Sequence, residues 1–256
     1  MSPFLLAAGT LASRELTRFA RQRNRVIGAL ATPLLFWFFL GAGLGSSFRV
    51  NLGGGEGLNY LQFFLPGTMA LVCLFTAIFS TISVIEDRQA GFLQAVLVSP
   101  APRSAVVAGK MLGGTALAVA QAALFLFFLP MVGVPLSVGG VAAAFLVLVL
   151  MAFGLTGLGL LLAWTTDSVQ GFHAVMNLIL MPLWFLSGAV FPASGAPRWL
   201  GAVMAANPVT YAVHGLHRTL LGATTGPSLG VCLAVNALFA AALWAASTAV
   251  VRRPRD

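Results

Sequence analysis

The sequence predicts an all-α integral membrane protein with six transmembrane helices, and three observations carry that prediction. Hydrophobic residues make up 59% of the 256-residue chain and charged residues only 8%, with a mean hydropathy of +0.96. A soluble domain carries about 25% charged residues, so this chain cannot hide its apolar surface in one core and takes the bilayer as its solvent. Second, long apolar runs fall at 26–46, 60–85, 106–130, 138–164, 171–191 and 228–251. Each reaches the ~20 residues that cross ~30 Å of hydrocarbon as a helix, and without water only helices satisfy such a backbone. Third, the basic residues are asymmetric. With both termini cytoplasmic, Arg14, Arg18, Arg21, Arg23, Arg25, Arg88, Arg103, Lys110, Arg252, Arg253 and Arg255 lie inside, against Arg49, Arg198 and Arg218 outside. The positive-inside rule favours that topology.

Composition also excludes. The net charge of +8 comes from thirteen arginines and one lysine against six acids, and its distribution points to anionic lipid headgroups rather than nucleic acid. Cys73 and Cys232 sit inside apolar runs, with neither a disulfide framework nor metal spacing, and no metal site is expected. The first apolar run is long enough to span and lacks a cleavage site, so no cleavable signal is expected. Gly109-Lys110 lacks the first glycine (Ser104) and the hydroxyl (Met111) of a phosphate-cradling loop, so the chain is expected to bind no ATP. Lys110 reads instead as a snorkelling residue at a span end. Gln121, Asn177 and Asn236, the polar groups well inside spans, are neutral and fit interhelical hydrogen bonding. That pattern counts against an ion-driven transporter or channel and against an intramembrane enzyme; an anchor subunit without transport of its own is a further alternative.

One domain, 1–256, holds these spans and three amphipathic segments. In 1–25, Arg14, Arg18, Arg21 and Arg25 recur at spacings of 4, 3 and 4, one helical stripe, with Leu5, Ala12, Leu16 and Phe19 opposite. Such a helix lies in the interface, its arginines at headgroups. In 86–103, Glu86, Asp87 and Arg88 precede an eleven-residue apolar segment, 89–99, stopped by Pro100 and Pro102. Phe92 with Val96, and Leu93 with Leu97, form an i, i+4 ridge after Gly91. An exposed ridge suits a protein contact; packing on the chain's own helices fits the periodicity equally. In 192–227, Asn207-Pro208 starts a helix and Gly222 stops it. Its face of Val209, Val213, Leu216 and Leu220 opposes one of Tyr211, His214 and Arg218. Too short to span, it forms with a helix at 198–205 an external re-entrant or interfacial pair, whose polar face suits either anchoring or an external gate.

Four stretches carry a family resemblance: LNYLQFFLPGTMA at 58–70, EDRQAGFLQAVLVSPAPRSAVVAGK at 86–110, FLSGAVFP at 185–192 and NPVTYAVHGLHRTLLG at 207–222. In order and spacing the chain resembles the membrane subunits of type-2 ATP-binding-cassette exporters. The resemblance implies a six-helix permease of the bacterial cytoplasmic membrane, paired with a second copy or a related permease. A separate ATPase subunit would hold ATP and magnesium, this chain binding no cofactor. It further implies that 89–99 is the coupling helix seated on that ATPase and that Glu86 and Arg88 belong to a charged cluster. Gln89 stands where relatives are often acidic. The N-terminal helix would be the interfacial connecting helix. The second and fifth spans would line the transport cavity, with Asn177 and Pro182 as candidates there. The expected work is export of a drug, lipid, glycan or lipid-linked substrate.

Overall fold

The computed structural model describes residues 2–21, 23–45, 49–53, 57–98, 101–192 and 196–252, apart from the side chains of 23–26, 29 and 97. Helices occupy all six predicted apolar runs. The N-terminal helix α1 (Pro3–Arg21) is followed by α2 (Arg23–Leu44). Arg25 falls within α2, and its side chain is outside the described set. A two-residue antiparallel pair follows, β1 (Arg49–Val50) with β2 (Leu58–Asn59), in the register Arg49↔Asn59 and Val50↔Leu58. Apolar periodicity gave no hint of this ribbon.

The next run is longer than expected. Helix α3 (Tyr60–Ser80) starts in a capping box of Asn59 and Gln62, pauses at Thr81, and continues as α4 (Ile82–Gln89). After the short α5 (Phe92–Leu97) comes α6 (Arg103–Ala123), which leads through a 3-10 turn (Leu124–Phe127) into α7 (Phe128–Met131). Then follow α8 (Val138–Thr165) and α9 (Val169–Phe185). The predicted 171–191 run stops as a helix at Phe185, because the chain turns through Gly188 at φ +81°, which a side chain would strain. Helices α10 (Arg198–Ala206), α11 (Pro208–Leu221) and α12 (Leu229–Arg252) complete the order.

Four helical segments, Tyr60–Gln89, Arg103–Met131, Val138–Thr165 and Leu229–Arg252, are long and apolar enough to cross a membrane; Leu30–Leu44 and Val169–Phe185 are shorter apolar helices. Helix α3 is the centre of the packing, touching α2, α6, α8, α9 and α11. Phe63, Phe64, Leu65, Met69, Leu74 and Ile78 are fully buried on it. Indole N–H groups fasten its neighbours: Trp37 donates to the Leu61 carbonyl and Trp184 to that of Gly67, both at 2.9 Å. Burying these rings with their N–H satisfied is what makes tryptophan tolerable there.

Candidate functional site

The three charges near the end of α4 face two sides: Glu86 and Asp87 turn to α1, and Arg88 turns to the end of α8. Asp87, 2% exposed, accepts a bidentate pair from Arg14 at 2.8 and 2.9 Å and a further bond from Arg18 at 3.0 Å. Lys110 of α6 also donates to it, and to Glu15 at 2.6 Å and Ser83 at 3.1 Å. Arg18 uses its other nitrogen on Glu86. Helical spacing builds this arrangement. Arg14 and Arg18, like Ser83 and Asp87, are four residues apart, so one stripe of α1 meets one stripe of α4 with Lys110 between them. The hydrogen-bonded Asp87 carboxylate holds the Arg14 guanidinium above its ordinary pKa. Arg88 turns the opposite way and donates to the carbonyls of Trp164, Ala163 and Thr166 at the end of α8. Those carbonyls have no helical partner of their own, and Gln89 adds a bond to the Asp167 carbonyl at 3.2 Å. The foot of α4 is thus a hub tied to α1, α6 and α8.

Two expectations change here. Lys110 does not snorkel: α6 begins at Arg103, earlier than the apolar run, so Lys110 lies two turns inside, 4% exposed and ion-paired. Arg14 and Arg18 turn to carboxylates of the protein rather than outward to headgroups, while Arg21 is exposed. Leu5 and Leu16 are exposed, and Ala8 and Leu11 are buried, where α1 packs along α6.

Helix α5 starts beside this hub. Gly91, at φ +74°, makes the left-handed turn that separates it from α4. It is six residues long rather than eleven, and its ridge faces inward. Leu93 is buried among Val84, Val106, Leu160 and Trp164. Phe92 and Val96 pack partly against the core, and the Arg14 guanidinium sits 3.9 Å over the Phe92 ring. The outward side is Gln94, Ala95 and Val98, the last 86% exposed. Pro100 and the Leu97 side chain lie outside the described residues.

At the far end of α3, α11 has the predicted bounds. Asn207 caps it by accepting from the Val209 N–H, and Gly222 closes it at φ +67°. The Asn207 amide also donates to the Leu183 carbonyl at 2.6 Å, anchoring the helix to the end of α9. Val209, Val213, Leu216 and Leu220 are buried, as their spacing predicts. The opposite face bonds locally. Tyr211 donates to the Ala205 carbonyl at 3.0 Å, and His214 meets the Thr210 carbonyl at 2.9 Å. Arg218 clasps the carbonyls of Pro227, Thr224 and Gly226. His217, which the sequence did not single out, is buried against Phe63, meeting its carbonyl at 3.1 Å and stacking on its ring. Burial pushes its imidazole down to about 4.

A cavity of about 550 Å³ opens between α2, α3, α4 and α9. Phe19, Phe36, Phe75, Phe79, Trp184 and Phe185 supply its aromatic surface, with Glu86 and His173 toward the hub. Asn177 and Pro182 are exposed and are not among its lining residues. Gln121 does bond across helices, to Thr76 of α3, whereas Asn236 donates within α12, to the Cys232 carbonyl.

The sequence profile described as the ABC-2 type transporter matches residues 7–221, which takes in the hub, α5, the cavity and α11. Nodulation protein J of Rhizobium leguminosarum bv. viciae is 28% identical over 89% of this chain and 86% of its own length. The daunorubicin resistance ABC transporter permease protein DrrB1 of Streptomyces coeruleorubidus is 24% identical over 88% of this chain and 78% of its own. The inner membrane transport permease YadH of Escherichia coli (strain K12) is 24% identical over 100% of this chain and 98% of its own.

Proposed function

The chain belongs to the ABC-2 type transporter family as a membrane permease, and from that premise we propose that it is the transmembrane half of an ATP-driven exporter in the bacterial inner membrane. A separate ATPase subunit would dock on α5, and a second permease, identical or related, would complete the transporter. ATP and magnesium belong to the ATPase. Helix α2, at 22 residues, and α9, at 17, would supply the fifth and sixth spans. An even number of spans places both termini on one side, and the basic bias makes that side cytoplasmic. The α10–α11 pair would then be external. Helix α1 would lie at the cytoplasmic surface, with Leu5 and Leu16 toward acyl chains and Arg21 toward anionic headgroups.

The observation that carries this reading is the join between α5 and the hub. Gln94, Ala95 and Val98 face outward from a helix whose inner side is locked to α4, α6 and Arg14. A push on that surface would move α4 with α1 and α6 through Asp87, and α8 through Arg88. Helices α3 and α9, which share the cavity wall, would follow and switch its access between the two sides. The buried Glu15–Lys110–Asp87 set does not make the chain an ion carrier, because each charge is paired and the set lies beside α5 rather than at mid-span.

Val98→Asp tests the docking surface. The side chain is exposed, so the permease should insert and remain stable, while the charge would be buried unpaired in the ATPase. ATPase co-purification and permease-stimulated hydrolysis should both drop at least about tenfold, equivalent to about 1.4 kcal/mol. Normal association by Val98→Asp would move the docking site elsewhere.

A further inference from the structure

We propose that the cavity beside the hub takes a hydrophobic aromatic cation, which replaces Arg18 as the partner of Glu86. This names a substrate class and rests on the permease reading above.

The wall favours flat apolar surface. Phe75 and Phe79 stand 5.5 Å apart by ring centroid, Phe79 and His173 5.1 Å, and Trp184 and Phe185 5.0 Å. Ring faces attract cations as well as rings, and the volume of about 550 Å³ is that of a drug-sized ligand rather than a polymer. Sugar would be poorly served, because the wall is mainly aromatic and aliphatic and two of its three hydroxyls, those of Thr76 and Ser80, are already committed. Thr76 bonds Gln121, and Ser80 donates to the Ala77 carbonyl at 2.7 Å.

Charge narrows the class further. Among the described residues lining the cavity, Glu86 is the one acid and there is no arginine or lysine. An anion would meet that carboxylate, whose described counter-charge, Arg18, is shared between Glu86 and Asp87. The Glu86 side chain is 35% exposed and held by Arg18, which also bonds the buried Asp87 at 3.0 Å. Arg18 can therefore release Glu86 and keep a carboxylate partner. A bound cation satisfies Glu86 in its place, so occupancy of the cavity loosens one of the ties between α1 and α4. The substrate would report its presence to the same hub that α5 pushes.

The test uses the permease with its ATPase in lipid nanodiscs and two probes of similar shape and opposite charge, tetraphenylphosphonium and tetraphenylborate. Saturable binding of the cation, with none of the anion above lipid partitioning, is expected. Glu86→Gln and Phe36→Ala, at half-exposed or exposed positions, should each weaken cation binding about tenfold or more. Phe153→Ala, on α8 outside the cavity, should leave it unchanged. Equal binding of the two ions, or unchanged cation affinity in Glu86→Gln, overturns the proposal. Permease-dependent ATP hydrolysis without any probe separates the two readings. If hydrolysis is stimulated and the cation does not bind, the substrate class falls alone. If the cation binds and hydrolysis never depends on the permease, the exporter reading falls and the cation site stands.

Discussion

The two polar ends of this molecule use the same residue type to opposite effect. At the charged foot, Arg14 reaches Asp87 across 73 residues of sequence and Lys110 reaches Glu15 across 95. On α11, Arg218 reaches Pro227 across 9 residues and Thr224 across 6. The first set fastens separate helices to one another; the second shapes the loop that follows its own helix. Damage at the foot should therefore spread to every element that meets there, whereas damage on the exposed face of α11 should stay local. Charge density alone would not have separated them.

Breaking the foot is expected to have the largest effect. Lys110→Met leaves Glu15 buried without its principal partner, which costs about 3–5 kcal/mol in comparable sites. Loss of monodisperse protein in detergent and a lowered unfolding temperature would show it. Adding Glu15→Gln should restore part of the loss, since the two changes share one interaction. Additive losses would mean that the pair does not interact as placed.

His217 sharpens the comparison through pH. Its imidazole falls from 6.5 to about 4 on folding, so the unfolded chain binds the extra proton between those values. Its contribution to stability is fully present above pH 6.5 and is lost as pH falls toward 4. The folding equilibrium should lose up to about tenfold per pH unit in that window. Unfolding followed at several pH values should show this slope, and His217→Gln should flatten it. A slope unchanged in the variant would assign the titration to another group.

Smaller effects belong to the exposed face of α11. Arg218→Lys gives up the planar fork that serves three carbonyls, and about 1–2 kcal/mol is expected. Residues 223–228 should become easier to cleave by protease, with ATPase association unchanged. Tyr211→Phe removes one exposed hydrogen bond, about 0.5–1 kcal/mol, and should be barely visible in an unfolding curve.

Legibility in the sequence followed the distance between partners. The bounds of α11 could be read because Asn207, Pro208 and Gly222 act on their own backbone. The six apolar runs could be read because helical periodicity and length are local. The hub could not. Glu86, Asp87 and Arg88 stood out as a cluster, yet nothing nearby in sequence says that Asp87 meets α1 and α6 while Arg88 caps α8. Glu15 passed unnoticed, although it falls four residues after Leu11 on the face that packs against α6. That position, and the place of the chain's one lysine inside an apolar run, were the available signals. The ridge of α5 was visible but its direction was not, because a six-residue helix looks alike from sequence whether it faces a partner or its own protein. The early end of α9 and the β1–β2 pair depend on turns that hydropathy does not register.

The central claim is that the ATPase meets the charged end of the permease through α5. Photo-crosslinking tests it most directly, with a benzophenone amino acid placed in turn at Gln94, Val98 and Tyr211 in cells that make both subunits. The account predicts a permease–ATPase adduct from Gln94 and Val98, and none from Tyr211. An adduct from Tyr211 with none from Gln94 or Val98 would contradict it.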